Sequence, residues 1–460
     1  MSAPTVVSLK RDLGLWGAIA LVIGTVIGSG IFIVPNKMVS SVGSPGMVFV
    51  VWIVGGLMSL SGALTYAELS AAMPGAGGEY VYLREAYGPL WSFLYGWTQM
   101  WVAKSGSLAT LATAFFLYLS NFHPELKQTI GHIPIPLGPG GGPLDVSAGQ
   151  IFGMALILAL GWLNYFGVKV GGEVQIFVTV CKVGLILVVI AVGLGTGHGD
   201  AANFQSVTPI TSAGGTVAAF FVALVGALWA YDGWNNVTMV ASEIREPQRN
   251  LPRALILGSL AVMAMYLLAN VAYFYVLPAK DVAASDLVAA EMMRRIYGQP
   301  GVALVSIAAM ISIFAALNGS ILTGSRVPYA MAVDGYFFKS LAKVHPAHHT
   351  PANSILALSA WSAILILSGR YDQLFTYVIF ASWILYGMTT ASVLVLRRTR
   401  PEMPRPYRTF GYPVVPIVFV MSALGLVIST FFSSPRESCM GLGLVLIGVP
   451  FYYHWAKHRT

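Results

Sequence analysis

About twelve runs of roughly 20 apolar residues follow one another from Leu13 to Trp455, and no other feature constrains the fold as much. Backbone placed in hydrocarbon must satisfy every N–H and C=O within the protein, so runs of this length read as a bundle of helices. Of the 460 residues, 56% are hydrophobic and 10% are charged, whereas a soluble domain carries about 25% charged residues. Mean hydropathy is +0.73. A soluble core could not hide this much apolar sequence. The expectation is an all-α polytopic membrane protein with twelve transmembrane helices.

The runs fall into sets. Residues 13–42, 46–72, 90–120, 147–167 and 174–195 form the first, within a unit 13–195. Residues 214–241, 252–277, 301–331, 352–369 and 374–396 form the second, within 214–396, and 412–432 with 439–455 close the chain. With residues 1–12 placed inside, about seventeen Lys and Arg side chains fall on one face and about seven on the other. Both termini, the second being 456–460, are therefore expected in the cytoplasm, with the chain multi-pass in a plasma or inner membrane. The net charge of +8 reads as topology and not as a nucleic-acid footprint. The first run, 14–38, is too long for a cleaved leader and lacks a small-residue cleavage site. Cys181 and Cys439 both fall in apolar runs, which argues against a structural disulfide or a cysteine metal site. No metal and no cofactor is expected.

Two runs are interrupted at mid-membrane depth. The first carries Gly24-Thr25-Val26-Ile27-Gly28-Ser29-Gly30, and the second Trp229-Ala230-Tyr231-Asp232-Gly233-Trp234-Asn235. A helix that stops inside lipid leaves polar backbone groups orphaned unless they line a cavity. Corresponding breaks in two halves point to a transporter's binding site. A helix restarting near Gly30 would aim its first N–H groups, about half a positive charge, at a carboxylate. The freed carbonyls of Thr25, Val26 and Ile27, with those around Trp229 and Asp232, would accept from an ammonium. Together they describe a receptor for a zwitterion, an α-amino acid. The glycines alone could instead serve close helix packing. Asp232 is either a substrate contact or a cap on the broken helix. Trp229 is either a lid over the cavity or ordinary packing. Lys182, deep in the fifth run, must find carbonyls or a carboxylate, and its ammonium could stand where a coupling sodium would sit; pairing for structure alone is the other reading. Lys104 lines an inner pathway or pairs with a neighbour.

At these residues the chain resembles the amino acid–polyamine–organocation superfamily, and within it the L-type amino acid transporter branch, as a prokaryotic homologue. The resemblance also rests on Gly77-Gly78-Glu79-Tyr80, Val174-Gln175, Glu243 with Asn250-Leu251-Pro252, Asn318-Gly319-Ser320, Ser325-Arg326 and Arg405-Pro406-Tyr407. It implies a LeuT-like fold: a five-plus-five inverted repeat with helices 1 and 6 broken, plus two C-terminal helices. It implies sodium-independent exchange of neutral L-amino acids by alternating access, without enzymatic chemistry. Carried over by position, Ser29 and Gly30, with Gly28 beside them, bind the carboxylate. The carbonyls of Val26, Trp229 and Asp232 take the amino group, next to Ile27 and Ala230. Trp229 matches the outer gate and Lys182 the sodium surrogate, while Lys104, Asn318 and Trp383 flank the cavity. Animal members join a heavy chain through an outer-loop cysteine. None lies between Asn121 and Val146 here, so a lone monomer without a disulfide-linked partner is expected. A carboxylate at position 232 resembles members that accept cationic amino acids. A proton-coupled symporter, a channel and a non-transporting sensor remain as alternatives. An enzyme does not fit, because His345, His348 and His349 sit in a polar loop.

Overall fold

The computed structural model describes residues 8–134, 144–210, 215–367 and 371–458. Helices dominate. The first predicted run is two helices, α1 (Leu15–Val26) and α2 (Gly30–Val42), meeting at a 42° bend. The second run is α3 (Pro45–Ala72), entered through Ser44, whose hydroxyl accepts from the Met47 N–H, and through Pro45 at the first helical position. A short helix α4 (Glu79–Tyr87) leads to the third run. That run is α5 (Pro89–Thr98), a single π-type turn at Gln99–Ala103, and α6 (Lys104–Leu119). The next loop forms a small antiparallel hairpin, β1 (Thr129–Ile133) with β2 (Leu144–Ser147), pairing His132 with Asp145 and Ile133 with Leu144. This hairpin is the small amount of sheet in an otherwise helical architecture, and residues 135–143, which include a glycine- and proline-rich run at 138–143, lie outside the described residues.

Helix α7 (Ala148–Tyr165) opens on a reciprocal cap between Ser147 and Gln150. The chain then continues through α8 (Val168–Gly195), α9 (Gly215–Ala230), α10 (Pro247–Val276), two short helices α11 (Ala279–Ala284) and α12 (Val288–Tyr297), and α13 (Gln299–Gly324). It ends with α14 (Arg326–Val333), α15 (Ala352–Ile366), α16 (Tyr371–Thr399), α17 (Val414–Ser433), α18 (Pro435–Leu446) and α19 (Gly448–Lys457). Among the described residues nine helices are long and apolar enough to cross a membrane, or ten with the bent α1–α2 pair as one span. The shorter apolar α9 and α15 stand where the sixth and ninth runs are expected. Every predicted run thus meets a helix. The seventh starts five residues earlier than expected, at Pro247, since proline is tolerated in a first turn.

The burial pattern requires lipid. Along α8 the buried positions include Gln175, Thr179 and Lys182, while Phe177 is 70% and Val180 66% exposed. Polar side chains face inward and apolar ones outward, the reverse of a soluble helix. Helix α1 packs between α8, α10 and α13, and α2 lies along α9. That crossing brings the two breaks together at the centre of the bundle.

Candidate functional site

Helix α1 stops at Val26, Ile27 leaves the helical region at φ −74° and ψ 93°, and α2 restarts at Gly30. Helix α9 stops at Ala230, and the chain turns through Gly233, whose φ of +103° suits glycine. It then winds into a 3-10 helix, Asn236–Glu243. The two breaks touch. A Cβ on Gly30 would lie 2.7 Å from Ala230 Cβ, so this crossing needs glycine. Thr25 Oγ1 lies 2.7 Å from the Leu21 carbonyl and 3.0 Å from that of Gly233. Tyr266 Oη sits 2.8 Å from the Ala230 carbonyl and 3.1 Å from that of Val26, so one phenol spans both breaks.

Lys182 reaches the first break from behind. Its fully buried Nζ donates to the carbonyls of Gly24 at 2.8 Å and Ile27 at 2.6 Å. Ser312 Oγ donates to the Ile27 carbonyl as well, at 2.9 Å. The carbonyls freed where α1 stops therefore accept hydrogen bonds from a protein amine.

In front of the breaks lies a cavity lined by Val26, Gly28, Ser29, Gly30, Trp229, Ala230 and Asp232, with Thr25, Gly233 and Asn236. The far wall is Lys104, Ser107 and Leu111 of α6 and Ser320 of α13. Ser29 Oγ is buried there without a hydrogen-bond partner among the described residues, an arrangement that costs about 1–3 kcal/mol unless something else supplies one. Lys104 follows directly on the π-type turn of its span and donates to Asn236 Oδ1 at 2.6 Å. It pairs with Asn236 and also lines the cavity. Tyr386 donates to Asp232 Oδ1 at 2.9 Å. Beneath them Glu79, fully buried, accepts from Tyr95 Oη at 2.8 Å and from the Asn235 amide.

Three expected residues stand outside the cavity wall. Ile27 contributes its carbonyl to Lys182 and Ser312 instead. Asn318 is turned to α7 and α8, where it bonds Asn164, Gln175 and the Gly171 carbonyl. Trp383 stacks on Phe419, centroids 5.5 Å apart, and its neighbour Tyr386 makes the contact with Asp232. Sequence reasoning missed Tyr266, Ser312, Ser107, Tyr386 and the inward position of Glu79. Only Glu79 left a signal, as a carboxylate within the quoted Gly77–Tyr80 motif. The others are hydroxyls on apolar helices that become polar partners only through packing. Among the described residues no group of His, Cys, Asp and Glu could hold a metal.

A multi-pass helical bundle with two broken helices facing one polar cavity is the architecture of a secondary transporter. A profile of the family described as amino acid permease matches residues 13–447. The human b(0,+)-type amino acid transporter 1 is 32% identical over 459 residues, covering 99% of this chain and 90% of that protein. The serine/threonine exchanger SteT of Bacillus subtilis is 32% identical over 457 residues, covering 98% of each. The human cystine/glutamate transporter is 30% identical over 448 residues, covering 97% and 85%. The chain belongs to the amino acid permease family, within the amino acid–polyamine–organocation superfamily. Its relatives are amino acid transporters, not enzymes.

Proposed function

We propose that this protein exchanges neutral L-amino acids across the membrane by alternating access, without sodium. The observation that carries the reading is the pair of broken helices opening on one cavity. The N-terminus of α2 and the unpartnered Ser29 hydroxyl suit a carboxylate. The carbonyls of Val26, Trp229 and Asp232 at the ends of α1 and α9 suit an ammonium. Trp229 would close over the bound substrate. Lys182, already bonded to Gly24 and Ile27, takes the place a coupling cation would need. Asp232 and Lys104 face one cavity with opposite formal charges, so a zwitterion adds no net charge to it. The two repeats divide at 195–214, with 412–455 added. Both termini lie in the cytoplasm of a plasma or inner membrane, and the carrier works as a monomer without a disulfide-linked partner. One relative is named a serine/threonine exchanger, which supports exchange while leaving the substrate to the site.

Purified protein in liposomes preloaded with unlabelled neutral amino acid should take up the labelled external one. Uptake independent of the internal load, or requiring sodium, would refute the proposal. A second reading, cationic substrates or proton coupling, is favoured by the Asp232 carboxylate in the cavity wall. Arginine competing as well as neutral amino acids, or uptake driven by a pH gradient alone, would select it.

A further inference from the structure

The N-terminal turns of α10 carry a second feature unrelated to the substrate cavity. Arg249, Arg253 and Leu257 follow at i, i+4 and i+8, so they share one helix face, with Ile256 beside them. That face opens into a groove of about 690 Å³, lined also by Leu15 of α1 and by Pro406 and Tyr407. The order along the helix is informative. Basic side chains occupy the first two turns and apolar ones the next, about 6 Å deeper at 1.5 Å per residue. A headgroup above an acyl chain has the same order. Arg253 is exposed and makes no ion pair among the described residues, and Arg249 has only Glu246 at 3.9 Å. Beside the two arginines the wall holds one further polar side chain, Gln248, in the first turn; the rest is Leu15, Pro252, Ile256, Leu257, Pro406 and Tyr407, and Leu257 is half exposed. Trp16, next to Leu15, is 75% exposed, as aromatic side chains at a membrane interface commonly are.

We infer that this groove binds one acidic phospholipid, its phosphate on Arg249 and Arg253 and its acyl chain along Leu15, Ile256 and Leu257. The charge complementarity selects an anionic headgroup, and the deeper apolar wall requires a tail. The lipid would touch α1, the inner half of the broken helix, and so tie the position of that half to membrane composition.

The test uses the full chain in detergent, titrated with phosphatidylglycerol or phosphatidylcholine while its unfolding temperature is followed. Native mass spectrometry counts the lipids bound. Phosphatidylglycerol should raise Tm by about 3 °C or more near saturation and add one retained lipid. The double variant Arg249→Gln/Arg253→Gln should lose both effects, Arg253→Lys should keep part, and Arg436→Gln, at a distant exposed arginine, should keep all. Equal responses to phosphatidylcholine, an equal rise with inorganic phosphate alone, or a full phosphatidylglycerol response in the double variant would each overturn the assignment. None of these readouts involves transport, so their failure would leave the proposed exchange untouched.

Discussion

Ser29 and Lys182 stand on opposite sides of the same break and do different work. Ser29 brings to the cavity a buried hydroxyl with no partner among the described residues. A hydrogen bond to a charged group contributes about 1.5–3 kcal/mol, so Ser29→Ala should raise KM by about tenfold or more with little loss of thermal stability. Exchange kinetics in liposomes would check this, and an unchanged KM would remove Ser29 from the site. Lys182 instead holds the carbonyls of Gly24 and Ile27. In Lys182→Ala both lose a hydrogen-bond donor at the point where α1 ends. Flux should fall at least tenfold, and added sodium should restore part of it if the ammonium stands in for a cation. Normal flux in correctly folded protein would argue that the amine is only a packing partner.

At the scale of elements, each break is a helix end satisfied by another element. The first is supplied by α8 and α13 through Lys182 and Ser312, and both are joined by Tyr266 of α10. Close approach of the breaks depends on Gly30, where an added Cβ would meet Ala230 at 2.7 Å. Gly30→Val should separate α2 from α9 and abolish substrate binding, measured as loss of ligand-induced thermal stabilisation. Retained stabilisation would mean that the breaks need not touch. The breaks themselves were legible in the sequence, because glycine, serine and aspartate interrupt otherwise apolar runs. Their partners were less so. Lys182 could be seen to need carbonyls, but which ones depended on α8 lying beside α1. The π-type turn at Gln99–Ala103 that precedes Lys104 left no compositional mark, since its residues are ordinary for a span.

Across the whole molecule, ion pairs gather on the face that carries the basic loops. Arg326 donates from Nε and Nη2 to the two carboxylate oxygens of Glu243 at 2.7 and 2.9 Å, both side chains fully buried. Backbone bonds from Leu13 to Glu243 and from Arg245 to Leu13 join the N-terminal segment to the same place. Arg326→Met leaves a buried carboxylate alone, a change that costs about 3–5 kcal/mol. Tm should drop sharply, and less so in Arg326→Met/Glu243→Leu, where no lone charge remains. Equal drops would show that the pair's charges are not the cause. Nearby, burial pushes the Glu85 carboxyl up, but Arg400 and Arg84 outweigh it and hold it below the usual range. A lowered folded pKa gives stability that is present above the unfolded value and lost as pH falls through the folded one. The Tm difference between the protein and Glu85→Gln should therefore be full at neutral pH and shrink below about pH 4.3. A constant difference across that range would exclude the linkage.

The sequence by itself determined the medium and the elements. Twelve apolar runs admit little but spanning helices, and two runs broken by small and polar residues need a cavity to satisfy their backbone. Local composition carries that information, because lipid leaves unsatisfied backbone no alternative. The tertiary structure decided which groups meet. It set Asn318 against α7 and α8 and Trp383 against Phe419, brought Tyr386 to Asp232, and turned Ile27's carbonyl to the Lys182 amine, 155 residues away in the chain. Such contacts depend on how helices rotate and cross, and apolar sequence leaves that rotation open until the polar side chains find one another.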